Sequence, residues 1–228
     1  RETLESHPLL YSDTETALRE TYLKVDRSLS DCHGMEAFFS GTTAVTVLIQ
    51  NDTIWTANVG DSRAVIAKKL IKGRFLAKNI SNDQNPNSPP EQERIKKAGG
   101  FVSPPPEPGL SSRVWLDEGM TQVGLAMARS IGDHAVKSIG VVADPEVLSF
   151  GIDEEDDVFI IIASDGVWEF ITSQEAVDIV AKRIKFGCKN ATKALIDTAS
   201  QRWKAVEGDY RDDITALVIK IPCFPEDH

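Results

Sequence analysis

The sequence predicts an α+β fold, with antiparallel sheets flanked by helices in one domain spanning residues 1–228. Two observations lead there. Runs rich in Val, Ile and Thr come as close pairs separated by short turns, the signature of hairpins. The long helical patterns are grouped late in the chain, whereas a parallel sheet would alternate strand and helix throughout. A length of 228 residues and a hydrophobic content of 41% suffice for a closed core.

The elements follow in order. Ser12-Asp13-Thr14-Glu15 fits a capping box, and Ala17, Leu18, Tyr22, Val25 and Leu29 recur at helical spacing, which predicts a helix over 13–30. Thr42–Gln50 and Thr53–Val59, joined at Asn51-Asp52, read as a hairpin. Arg63–Lys68 and Arg74–Ala77 read as a second one, about Lys72-Gly73. The stretch 84–122 is rich in proline and reads as a flap subdomain, with a short helix over Glu91–Ala98 closed by Gly99-Gly100. Gly124–Ala128 reads as a strand, Ile131–Lys137 as a short helix and Glu146–Phe150 as a strand. Val158–Ala163 is continuously apolar and predicts a strand buried on both faces. Thr172-Ser173-Gln174-Glu175 caps a helix carrying Val177, Val180 and Ile184 on one face. A second helix over Asn190–Val206 turns Leu195, Ala199 and Trp203 inward, and Thr215–Ile221 closes the domain as a strand.

Composition excludes several functions. A net charge of −10 disfavours nucleic acid and anionic membrane as partners, since both require basic patches. Three widely spaced cysteines imply neither a disulfide framework nor a zinc knuckle. Four histidines, none in a zinc-like pair, disfavour a His-rich zinc hydrolase. Apolar runs stop well short of a membrane span and Arg1-Glu2-Thr3-Leu4 does not resemble a signal peptide, so a cytoplasmic or nuclear monomer is expected.

Chemistry concentrates on aspartates at the ends of apolar runs: Asp61 after Ile54–Ala57, Asp165 after Val158–Ile162, and Asp212 before Ala216–Ile219. A carboxylate placed against strands is costly without a cation or donors. Taken singly, each has a bland reading. Asp61 with Arg63 makes an ordinary turn pair, Asp133 starts a helix, and Asp212-Asp213 makes a solvated turn.

Taken in order, the segments make a pattern. Gly41-Thr42-Thr43-Ala44, Gly60-Asp61-Ser62-Arg63, Glu93-Arg94-Ile95 with Gly99-Gly100, Leu125–Asp133, Asp144-Pro145-Glu146-Val147, Ala163-Ser164-Asp165-Gly166 and Asp212-Asp213-Ile214-Thr215 run from about residue 40 to residue 220. Together they resemble the metal-dependent Ser/Thr protein phosphatases of type 2C. The resemblance implies a β-sandwich of two antiparallel sheets with helices outside, and a centre of two, with a third weakly held, Mg²⁺ or Mn²⁺ ions. It implies Asp165 and Asp212 as ligands of the paired metals, Asp61 as a ligand of the third, and Asp133 as metal-proximal support. Asp213 stands where the family usually has Asn and adds charge beside Asp212. The flap at 84–122 would border the cleft, with Arg113 and Trp115 at the substrate rim; packing of Trp115 on its own domain is the alternative. Oxygen donors suit Mg²⁺ and Mn²⁺ independently of the resemblance.

The implied function is hydrolysis of phosphoserine or phosphothreonine in a phosphoprotein. The alternatives are a non-catalytic phosphatase-like binding module and an acidic sandwich without metal. The family's Asp-Gly-His-Gly turn, its phosphate-binding Arg and its general-acid His are expected upstream of Arg1, so this stretch alone is expected to be weak or inactive. Asp31-Cys32-His33-Gly34 imitates that turn, but lies too close to Gly41 and reads instead as a loop after a helix.

Overall fold

The computed structural model describes residues 1–33, 35–50, 52–70, 73–105, 111–153 and 155–221, apart from the side chains of Cys32, His33 and Met35. The chain separates into two compact units, one of residues 1–46, 57–61 and 82–148, the other of 47–56, 62–81 and 149–228. No helix among the described residues is long and apolar enough to cross a membrane.

The second unit is built on a four-stranded antiparallel sheet. It comprises β4 (Arg63–Lys69), β5 (Phe75–Asn79), β10 (Asp157–Ala163) and β11 (Ala216–Lys220), in the order β11-β10-β4-β5. The apolar run of β10 is explained by this order: it lies between two neighbours, and Phe159, Ile160 and Ile161 are fully buried. Three helices belong to this unit, α5 (Asp165–Trp168), α6 (Ser173–Ala181) and α7 (Cys188–Glu207). The capping box at α6 is complete, with the Thr172 hydroxyl accepting from Glu175 N–H and the Glu175 carboxylate accepting from Thr172 N–H. Helix α7 buries Ala191, Leu195, Ala199 and Trp203, a stripe at helical spacing.

The first unit holds α1 (Glu2–Glu5), α2 (Thr14–His33), α3 (Met35–Phe39) and α4 (Pro89–Lys97). Two short antiparallel pairs join them: β1 (Gly41–Thr42) with β8 (Ile131–Gly132), and β6 (Phe101–Ser103) with β7 (Arg113–Trp115). Ile95, Val114, Ala128, Val136, Ile139 and Val141 form its core. A buried carboxylate, Glu91, lies beside that core and accepts from Arg129 at 2.7 Å and from Arg94 at 2.7 Å. Burial alone would raise the Glu91 carboxyl, yet the two guanidinium groups hold it below the usual range. A further sheet, β2 (Ala44–Gln50), β3 (Thr53–Val59) and β9 (Glu146–Gly151), contributes residues to both units.

Four expectations require correction. Helix α2 is capped by Asp13, whose Oδ1 accepts from Thr16 N–H at 3.1 Å, one residue later than the box at Ser12 would place it. The segment at Asp31-Cys32-His33 is the last turn of α2 rather than a loop, while Gly34 and the side chains of Cys32 and His33 lie outside the described residues. Gly124–Ala128 makes a single bridge, Val114 to Leu125, and no strand. Ile131–Lys137 splits into β8 and a 3₁₀ turn over His134–Ile139. Positive φ at Gly132 (82°) and Asp133 (50°) prevents a continuous helix there. Asn51 and Lys72, each in an expected turn, lie outside the described residues.

Candidate active site

In the second unit, β10 and β11 bring Asp165 and Asp212 to the same end of the sheet. Ala163 pairs with Ala216, so the residues just beyond β10 meet those just before β11. Ser164 fastens the two segments. Its N–H donates to Thr215 O at 3.0 Å, its hydroxyl accepts from Thr215 N–H at 3.1 Å, and the same hydroxyl donates to Asp213 O at 3.3 Å. Gly166 is dictated by this closeness, because a Cβ there would lie 2.3 Å from Asp213 O. Two indoles clamp the turn from behind: Trp168 Nε1 donates to Ala163 O at 2.8 Å and Trp203 Nε1 to Gly166 O at 2.7 Å. Asp165 opens α5 and is half-buried. Asp212 is half-buried too, its Oδ1 accepting from Asp213 N–H at 2.7 Å, while Asp213 points to solvent.

Glu169 joins these acids. Partial burial, then the charges of Asp165, Glu207 and Asp212, hold its carboxyl above the ordinary range. Three other carboxylates therefore act on Glu169. Glu169 went unread in the sequence, although its position four residues after Asp165, on the same helical turn, was a usable signal.

In the first unit, three glycine-containing motifs converge. Gly60 has φ of 104°, and a Cβ on it would lie 2.3 Å from the Thr43 side chain. The Gln84 amide locks that bend, accepting from Gly60 N–H at 2.7 Å, and Gln84 N–H donates to Gly60 O at 3.0 Å. Asp61 follows directly and is half-buried. Asp133 N–H donates to Ser40 O at 2.9 Å, and its carboxylate rests against Gly41, where a Cβ would lie 2.0 Å from Oδ2. Asp26 on α2 steadies the turn by accepting from Gly132 N–H at 2.8 Å. Near it, burial pushes the Lys137 ammonium down while Asp26 and Asp133 pull it back up.

The expected rim residues lie on β7. Arg113 is exposed and its guanidinium donates to Gly124 O. The Trp115 ring packs over Gly124 and its Nε1 donates to Ser103 Oγ at 3.0 Å, so the indole is engaged within its own unit.

The acids have the right chemistry for a hard cation. Their number is the difficulty: among the described residues, no group of three His, Cys, Asp or Glu side chains is gathered closely enough to hold a metal ion.

The family model for "Protein phosphatase 2C" matches residues 1–204. The chain belongs to the protein phosphatase 2C family. "Probable protein phosphatase 2C 73" of Arabidopsis thaliana is 40% identical over 205 residues, covering 88% of this chain and 54% of that protein. "Probable protein phosphatase 2C 35" of the same plant is 37% identical over 242 residues, covering 96% of this chain and 66% of that protein. This phosphatase 2C chain thus spans between half and two thirds of the length of these curated relatives. Among solved structures, the serine-threonine phosphatase 2C from Toxoplasma gondii matches with a TM-score of 0.83 at 21% identity, over 96% of this chain and 77% of that one. At that identity the likeness establishes the fold: the phosphatase 2C arrangement of antiparallel sheets and helices, as the sequence predicts.

Proposed function

We propose that this chain is the larger part of a metal-dependent protein serine/threonine phosphatase acting on phosphoserine or phosphothreonine in a phosphoprotein. The observation that carries the reading is the meeting of Asp165 and Asp212 at the joined ends of β10 and β11, where both add to the burial that raises the Glu169 carboxyl. Like charge gathered by tight backbone contacts is what a divalent cation would relieve. On this reading Asp165 and Asp212 hold Mg²⁺ or Mn²⁺, Asp61 serves the third ion, and Asp133 and Asp213 act near the metals. Such ions, when bound, supply Lewis-acid activation of water and neutralise phosphoryl charge. The chain's own part is positional: Ser164, Trp168 and Trp203 fix the backbone on which Asp165 stands. The remaining donors, the phosphate-binding Arg and the general-acid His come from residues upstream of Arg1. The segment 84–122 acts as a flap of the same domain, with Arg113 and Trp115 at the substrate rim.

The lack of a three-donor group among the described residues favours a second reading, a phosphatase-like binding module without turnover. Phosphate release from phosphoserine and phosphothreonine peptides in Mn²⁺ separates the two. A form that includes residues upstream of Arg1 is expected to exceed the 228-residue chain by orders of magnitude. Robust turnover by the 228 residues alone would contradict the assignment of donors upstream. No turnover by the longer form would leave the binding module.

A further inference from the structure

The outer edge of the four-stranded sheet is closed by a side chain. β5 is the last strand of that sheet. Leu70 N–H donates to Arg74 O at 2.7 Å and Ile80 N–H to Ala64 O at 2.9 Å, so the even-numbered residues of β5 direct their main-chain groups toward β4. Phe75, Ala77 and Asn79 therefore turn theirs outward. Gln174, in the first turn of α6, meets them: its Oε1 accepts from Ala77 N–H at 3.0 Å and its Nε2 donates to Phe75 O at 3.0 Å. One residue earlier, Ser173 Oγ donates to Asn79 Oδ1 at 2.8 Å. A carboxamide is chemically one peptide unit. This one makes the two bonds that a residue of a parallel strand would make opposite Leu76.

We propose that Gln174 is an edge guard, standing in for a fifth strand and keeping β5 from pairing with β5 of a second copy of this chain. An unguarded edge is a template for such pairing, and a closed two-fold pair of identical strands must be antiparallel. The sequence of β5 suits that pairing. In a register centred on Ala77, Phe75 of one copy faces Asn79 of the other and Ala77 faces Ala77, so every outward main-chain group meets an outward partner. Leu76 then faces Lys78, and no lysine faces a lysine. Leu76 is 47% exposed and Leu70 is 42% exposed, which leaves apolar surface beside the edge for a second copy to cover. The proposal does not depend on phosphatase activity.

Gln174→Ala tests it, since alanine preserves the helix and removes the guard. At dilutions where the variant is still monomeric, hydrogen exchange at the Ala77 amide is expected to rise about fivefold to tenfold, the scale of one lost hydrogen bond. Sedimentation is expected to show a dimer at concentrations where the unaltered chain is monomeric. Adding Leu76→Lys, which sets lysine opposite lysine across the pair, should restore the monomer. Unchanged Ala77 exchange, a variant that stays monomeric, or a dimer that survives Leu76→Lys would each overturn the proposal.

Discussion

Acids are treated in opposite ways at two places: beside the core of the first unit, and at the Asp165 turn of the second. In the first, Glu91 is met by Arg94 and Arg129, and Asp26 by Gly132 N–H and Lys137. In the second, Asp165, Glu207 and Asp212 add their charges to the burial that raises the Glu169 carboxyl. Compensated acids hold a structure together. Accumulated acids cost stability, and on the proposed reading a bound cation offsets that cost.

The largest expected effect lies in the first unit. Glu91→Gln leaves the Arg94 and Arg129 guanidinium groups without their buried anion and should cost about 3 kcal/mol or more in urea unfolding, as removal of one partner of a buried pair does. A loss well below that would mean that water already compensates the pair, and the contrast between units would weaken.

Two glycines should differ in their tolerance of a side chain. Gly166→Ala sets a Cβ against the backbone oxygen of Asp213, which cannot swing aside, and should cost about 1–3 kcal/mol. Gly41→Ala meets only the end of the Asp133 side chain, which can rotate away, so its cost should stay below about 1 kcal/mol. Equal costs would show that the second unit's turn is no more tightly determined than the first's.

The smallest effects are pH slopes. The Glu169 carboxyl is raised in the folded chain, so its contribution to stability is present below the unfolded value of about 4.3 and is lost as pH rises through the folded value. Glu175, held by Arg202 and then by Thr172, is lowered to about 2. Its contribution is present above the unfolded value of about 4.3 and disappears as pH falls toward about 2. Thermal melts across pH 2 to 7 should therefore show Glu169→Gln flattening the upper limb and Glu175→Gln the acid limb. Matching slopes in both variants would remove the charge accumulation on which the second unit's reading depends.

Much of this was legible in the sequence because it rests on local signals. The apolar run of β10 required a central strand, and Thr172 with Glu175 fixed the start of α6. The stripe Leu195, Ala199, Trp203 fixed the inner face of α7. What was misread depended on contacts distant in sequence. Helix periodicity at 131–137 was outweighed by positive φ at Gly132 and Asp133, a bend supported by Ser40 and Asp26 from elsewhere in the chain. The clamp of Trp203 on Gly166 could not be read locally, because the indole that marks a buried helix face also carries a directional donor. Order and spacing named Asp61, Asp165 and Asp212, but gave no sign that Glu169 would share the charge of the last two.

Asp165→Asn tests the proposed place of Asp165 at a metal-dependent phosphatase centre. In a form carrying the residues upstream of Arg1, this isosteric change should abolish Mn²⁺-dependent phosphate release from a phosphoserine peptide and leave the thermal melt unchanged or slightly raised, since a like charge is removed. Turnover near that of the unaltered protein, with the fold intact, would remove Asp165 from the proposed metal ligands.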